Sequence, residues 1–317
     1  MARVYRSSDI IASAKRKAML PETQITFTDQ DFLAFANEEM DLAIIPFILS
    51  FREDYYQNSV TIPLESDKKR YTIPYRAIGN KIRDVQYVDS SGKVFPLRRI
   101  FVEDLHKFDN GFADKNISDY NKYYIENDEI VLISNPPQGT GSLKIIFYLR
   151  PNALVVEDEV YSVVSIGPDL NPSNKIITLD KTPTTLTVGG LIDFVEQKSP
   201  CKILKYDVPI LAKSGNTITV AAANVDERLN AGDQVSKAEQ TALPQLPAEL
   251  QSLLAQRVAA RCLEAIGDQQ GLQAANAKIA EIEQKVIPIL DNRVDGSPMK
   301  VNANLGLLKS IRNYWRW

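Results

Sequence analysis

Side chains able to do chemistry are few in this chain, and their spacing suits little of it. The one histidine, His106, lies in Asp104-Leu105-His106-Lys107. A lone imidazole can move a proton, but it cannot build an H-E-x-x-H zinc site or a histidine-rich cluster. Cys201 and Cys262 stand 61 positions apart. That spacing is neither a zinc ribbon nor a disulfide framework, so both read as small buried apolar residues. Glu157-Asp158-Glu159 and Asp226-Glu227 offer oxygen ligands, but without the spaced donors and glycine of a calcium loop. Both read as solvated turns. Gly139-Thr140-Gly141 opens a strand, not a helix, and lacks a third glycine, so it is a turn and not a dinucleotide loop. There is no phosphate-binding G-x-x-x-x-G-K-[ST] and no G-x-S-x-G elbow. A glycosidase's two carboxylates need not be close in sequence, yet nothing marks such a pair. Tyr55, Tyr56, Tyr120, Tyr123 and Tyr124 could stack sugars or bases, but their spacing fits strand faces and interfaces better. The expectation is a protein without catalytic residues, cofactor or metal.

Composition agrees with a globular chain that has partners in place of substrates. Of 317 residues, 44 % are hydrophobic and 24 % charged. That is enough to bury a core without disulfides. No apolar run is long enough to span a membrane. The N-terminus lacks the apolar core and cleavage site of a secretory signal, so a reducing, intracellular compartment is expected. The net charge of −3 hides an asymmetry: residues 1–20 carry +4 and residues 293–317 another +4, leaving −11 for the body between them. Basic ends of this kind suit a partner's acidic surface or nucleic acid.

The elements that must position these residues fall into three groups. Residues 7–20 read as a short helix, capped by Ser7 or Ser8, with Asp9 in its first turn and Pro21 closing it. A second helix starts at Thr28, where Thr28 and Asp31 form a capping box. Phe32, Phe35, Ala36, Met40 and Ala43 follow at helical spacing. Pro46 is expected to kink or split this helix, with a second part running from Phe47 to Gln57. From Val60 to Leu243 the character changes. This stretch holds 11 of the 17 prolines and 10 of the 14 glycines. Between these breakers lie short β-branched and aromatic runs, which argue antiparallel strands: Arg70–Ile73, Ile82–Val88, Val94–Arg98, Tyr123–Ile125, Ile130–Ile133, Leu143–Leu149, Val160–Ile166, Lys175–Leu179, Leu191–Val195, Thr217–Ala221 and Asp233–Val235. The clearest, Leu143 to Leu149, should present Leu143, Ile145, Phe147 and Leu149 on one greasy face. Ser90-Ser91-Gly92 and Lys213 to Asn216 read as hairpin turns. At Pro244 helix returns. Pro247 suits a first turn, and Leu250, Leu254, Val258, Cys262 and Ile266 then repeat every four residues. Gly267 ends that helix and Asp268 caps the next. Along the latter, Leu272, Ala275, Ile279, Ile282, Val286 and Ile289 form a heptad-like seam, able to serve as a buried face or a subunit contact. Pro288 should distort its last turn.

The fold class expected is α+β: a helical hairpin and N-terminal helices forming a helical bundle, with a large antiparallel β sandwich or barrel inserted. The organisation is a basic N-terminal arm (1–20), a discontinuous helical domain (21–59 and 244–293), an inserted β domain (60–243) and a basic aromatic tail (294–317). Pro151-Asn152 divides the β domain into lobes near 60–150 and 155–243. The tail ends in Arg312, Tyr314, Trp315, Arg316 and Trp317. A solvated tail normally lacks large aromatics, and Trp with Arg makes a good interface anchor.

This order of elements resembles the head-to-tail adaptor proteins of tailed bacteriophages, also called head–tail connector or tail-tubular proteins. Three stretches carry the resemblance: Phe27 to Leu33 with Ile45-Pro46 and Tyr55-Tyr56; Arg70 to Ala77 with Val85 to Asp89 and Tyr123 to Asn127; and Leu246-Pro247-Ala248-Glu249-Leu250 through Ala259 to Asp268 and on to Asn292-Arg293-Val294. The match covers residues 25–295 in outline, and the β insertion is larger than in minimal all-helical adaptors. It implies a virion component, assembled in the host cytoplasm, that forms a homo-oligomeric ring of about twelve copies between the portal protein and a downstream tail or nozzle protein. Arg312, Tyr314, Trp315, Arg316 and Trp317 would grip the portal, and DNA would pass through the lumen without being read. An acidic body suits that passage, because attraction to phosphate is strong and sequence-independent. Two other readings are open at this stage. One is a carbohydrate-binding, host-recognition β domain of a virion, which has no evident need for the tail. The other is a DNA-binding protein using its basic ends.

Overall fold

The computed structural model describes residues 5–21, 26–65, 68–105, 122–133, 141–198 and 200–290. It is a mixed α+β fold with several antiparallel sheets. Helix α1 (Ser7–Lys17) is capped by Arg6, not by Ser7 or Ser8. The Arg6 N–H donates to the Asp9 carboxylate at 3.0 Å. Asp9 thus does the work expected of the serines, and Ser8 is free to donate to Glu157 instead. The buried face of α1 (Ile10, Ile11, Ala14) lies against the later helix Ala248–Ile266.

Helix α2 (Asp29–Glu39) begins with the expected box. Asp31 N–H donates to Thr28 Oγ1 at 3.3 Å, and Thr28 N–H to Asp31 Oδ2 at 2.7 Å. At Pro46 the outcome differs from a split. Met40–Ile44 widens into a π segment, and α3 (Ile45–Phe51) continues directly, with Pro46 in its first turn. The Ile45 N–H reaches back to Met40 O, one residue further than in an α-helix. One extra residue in the turn accommodates the proline, which has no N–H to give and whose ring would crowd an ordinary preceding turn. The helix ends at Phe51, not Gln57, and Gln57 already opens a strand.

Strands β1 (Gln57–Pro63), β8 (Ser142–Leu149), β3 (Ala77–Val88) and β4 (Val94–Pro96) form one sheet in that order. Strands β2 (Arg70–Thr72), β7 (Glu129–Leu132), β6 (Lys122–Glu126) and β5 (Arg98–Arg99) form a second. Both contribute to one core around Leu143, Ile145, Phe147, Tyr71 and Ile130. The expected greasy face of β8 is buried, but so is Tyr148 on the opposite face, because the helical core covers it.

A two-residue parallel pair, β9 (Ala153–Leu154) with β17 (Gln240–Thr241), brings the way into the next sheet beside the way out. Between them lie β10 (Tyr161–Pro168), β11 (Asn174–Leu179), β12 (Leu191–Val195), β13 (Ile203–Pro209), β14 (Ala212–Ser214), β15 (Thr217–Ala221) and β16 (Gln234–Lys237). Their order is β13-β12-β16-β10-β11-β15-β14, all antiparallel, around a separate core that includes Phe194, Ile218 and Val235. Both expected hairpins form: Gly92 (φ 80°) turns β3 into β4, and Gly215 (φ 53°) turns β14 into β15.

Helices α4 (Ala248–Ile266) and α5 (Gln269–Leu290) make the hairpin. Pro247 stands at the N-cap of α4. Gly267 adopts φ 82°, and the Gly271 N–H donates to Asp268 Oδ1 at 2.9 Å, so the helix stop and restart form as read. Helix α5 continues through Pro288 to Leu290. Leu250, Leu253, Leu254 and Val258 of α4 are fully buried against α1, α2 and α3 residues.

Candidate functional site

Among the described residues, the most densely bonded buried polar cluster lies where the approach to β3, the seven-stranded sheet and the lead into α4 meet. Its centre is Asp193, a fully buried carboxylate in the middle of β12. The run Leu191-Ile192-Asp193-Phe194-Val195 would otherwise read as plain core strand. A buried charge needs compensation, and four donors converge on this one. Arg76 Nη2 (2.8 Å), Asn152 Nδ2 (2.7 Å) and the Glu239 N–H (3.0 Å) reach Oδ2, while the Asp207 N–H (2.9 Å) reaches Oδ1.

Arg76 comes from the turn before β3 and is 2 % exposed. It also donates to Asn152 Oδ1 at 2.6 Å and to Asp207 Oδ1 at 3.2 Å. Its guanidinium lies over the Tyr206 ring at 5.5 Å. Asp207 (φ 55°) and Glu239 (φ 67°) hold left-handed backbone conformations that turn their N–H groups inward. The Asn152 N–H then donates to Gln245 Oε1 at 2.8 Å, and the Tyr56 hydroxyl to Gln245 O at 3.2 Å. One connected network therefore joins β3's approach, the 151–152 linker, β12, β13 and the lead into α4. A planar guanidinium clamped by two carboxylates and an amide permits one relative orientation of these parts. This chemistry fixes geometry.

A second network ties the helices. Glu39, 6 % exposed, accepts from Arg257 Nη1 at 3.1 Å and Arg261 Nε at 2.6 Å. Arg257 also pairs with Glu283 of α5. Glu39, Arg257 and Arg261 line an open cavity of about 190 Å³ beside Leu272 and Ile279.

The residues singled out in the sequence are dispersed. Of the seam, Ala275, Ile279 and Val286 are buried in the chain's own helical core, and Leu272 and Ile282 pack against it. Ile289 points outward and is 60 % exposed. Arg312, Tyr314, Trp315, Arg316 and Trp317 lie outside the described residues, as do His106 and Tyr120. Cys201 and Cys262 are buried, and burial pushes their thiols up to about 12 and about 11. Glu157 accepts from Arg6 (3.0 Å) and Ser8, so this acidic turn anchors α1. Asp226 is held by Arg228, whose hydrogen bonds bring its carboxyl down to about 2. Tyr55 and Tyr56 meet edge to face at 4.9 Å. Among the described residues no group of three metal-ligating side chains converges, and no helix is long and apolar enough to cross a membrane. The Arg76 network was missed from sequence. Its only local signals were Asp193 inside an apolar strand and Asn152 beside Pro151.

A family model described as SU10 adaptor protein matches residues 6–171, just over half of the chain. That span runs from α1 through both four-stranded sheets to the turn after β10. No curated protein matches.

Proposed function

Because the chain belongs to the SU10 adaptor protein family, we propose that it is a structural protein of a tailed-phage virion. Its copies form a ring adaptor between the portal and a downstream tail or nozzle protein, and DNA passes through the lumen without sequence readout. The family match carries this reading. Other observations support it. The buried polar groups around Asp193 and Glu39 build rigid junctions, which suit a part held between two assemblies. The −11 body repels the DNA backbone, and the two +4 ends suit acidic protein partners.

Within the ring, each subunit presents one surface to one neighbour and the complementary surface to the other. Ile289, and with it the open cavity between Glu39, Arg261 and Leu272, faces such a neighbour. The other seam residues support the hairpin from inside. Arg312, Tyr314, Trp315, Arg316 and Trp317 grip the portal, and the weak contacts of many copies add through multivalency. The test is deletion of residues 300–317. The shortened protein folds as the full chain does and loses portal binding. Binding to portal at the full chain's affinity would refute the anchor role.

A further inference from the structure

A groove runs between the chain leaving α3, the β12–β13 turn and the lead into α4. Its inner end, about 170 Å³, is walled by Tyr55, Tyr56, Leu149, Pro151, Pro200 and Ile203. Its outer end, about 300 Å³, adds Arg52, Pro247 and Glu249. Asp54, Tyr55, Pro200 and Lys202 border both ends, so the two are continuous. The walls are aromatic and proline surfaces, which take flat rings. Arg52 already lies over the Tyr55 ring at 5.5 Å, so this ring accepts a guanidinium. Asp54 and Glu249 stand exposed at the mouth.

The groove's walls also hold unpartnered polar atoms. Arg52 Nε, Tyr55 Oη and Gln245 Nε2 are buried without a hydrogen-bond partner, and Gln245 is 5 % exposed. Two of these three are donors only, and the third can donate. Leaving them unmade costs stability. All three are sealed from solvent, so an occupant must part the wall slightly to supply acceptors. The occupant that fits brings flat rings, backbone carbonyls and guanidinium groups together. The chain contains one such segment, Arg312-Asn313-Tyr314-Trp315-Arg316-Trp317. It is within reach: α5 packs against α3, and Arg52 directly follows α3. The 21 residues between Leu290 and Arg312 span up to about 70 Å.

We propose that this groove holds residues 312–317 of the same chain, with an indole between Tyr55 and Pro200 and the arginines on Asp54 and Glu249. The inference concerns the free chain and does not rest on the portal reading. A partner that recruits the segment would first have to draw it out of the groove.

Both tryptophans of the protein lie in this segment, so indole fluorescence of the full chain reports on it alone. The free protein is expected to show blue-shifted emission and protection from acrylamide, both independent of protein concentration. Asp54→Lys with Glu249→Lys should lower the docked-to-free ratio about tenfold, as two surface ion pairs become repulsions. Arg312→Glu with Arg316→Glu should do the same without altering the groove, and the circular dichroism of both variants should match the parent. Solvent-like emission in the parent overturns the proposal. So does shielded emission that neither pair of reversals changes, or shielding that appears only as concentration rises.

Discussion

Replacing Arg76 by methionine tests whether the junction network holds the parts of this fold together. Arg76 and Asp193 are 2 % and 0 % exposed, and their ion pair measures 2.8 Å. Methionine keeps most of the stem's volume and removes the charge. Asp193 would then keep three neutral donors, from Asn152, Asp207 and Glu239, but no cation beside it. Breaking a buried pair by removing one partner costs about 3–5 kcal/mol. The surviving donors place this case at the lower end, about 3 kcal/mol. Against a total stability of about 5–15 kcal/mol, that is a large share. Adding Asp193→Asn removes the stranded charge, so the double variant should be more stable than the sum of the single losses by at least about 1 kcal/mol. Urea unfolding followed by far-ultraviolet circular dichroism measures this, fitted with separate transitions if the cores unfold separately. A loss below about 1 kcal/mol for Arg76→Met, or single effects that simply add, would refute the clamp.

Three further outcomes follow from the same geometry. Glu39→Ala strips Arg257 and Arg261 of their shared carboxylate and should cost about 2 kcal/mol in the same unfolding assay, less than a fully buried pair because both arginines reach solvent. Hydrogen bonds from Lys278 and Lys285 hold the Glu281 carboxyl down at about 2, against an ordinary value of 4.5. A lowered carboxyl stabilises the fold above its unfolded value, and that contribution fades as pH falls from about 4.5 to about 2. A carboxyl-carbon NMR titration should therefore find the Glu281 midpoint near the lower figure, and moved upward in the variant carrying Lys278→Ala with Lys285→Ala. Cys201 and Cys262 are buried with thiols raised to about 12 and about 11, so Ellman's reagent at pH 8 should find no reactive thiol in the native protein and two after unfolding. A fast-reacting thiol in the native state would contradict the packing.

Much of this architecture was legible wherever a local rule decides it. Thr28 with Asp31, Gly267 with Asp268, and the turns at Gly92 and Gly215 depend on neighbours in sequence, and each forms where its residues say. The strands found from sequence have β-branched or aromatic runs between breakers. Those missed were decided by distant partners. Strand β1 has only Val60 and Ile62 as apolar markers and is a strand because β8 pairs along its whole length. Strand β13 is interrupted by Asp207 at positive φ, which blurs its alternation. Strands β9 and β17 are two residues each and exist only through one another. Pro46 was correctly marked as a disturbance, but whether a helix splits or widens depends on the packing that holds both halves. The Arg76 network joins residues up to 189 positions apart in the chain, so no window of sequence contains it. The seam on α5 had two compatible meanings, and the helical periodicity behind them is the same for both.

Negative-stain imaging of the full chain, alone and mixed with the portal of the same virion, tests the adaptor reading most directly. The account predicts a ring of subunits added coaxially to one end of the portal, with an open central channel. Portal particles that remain bare at every protein concentration, with the chain staying monomeric beside them, would contradict it.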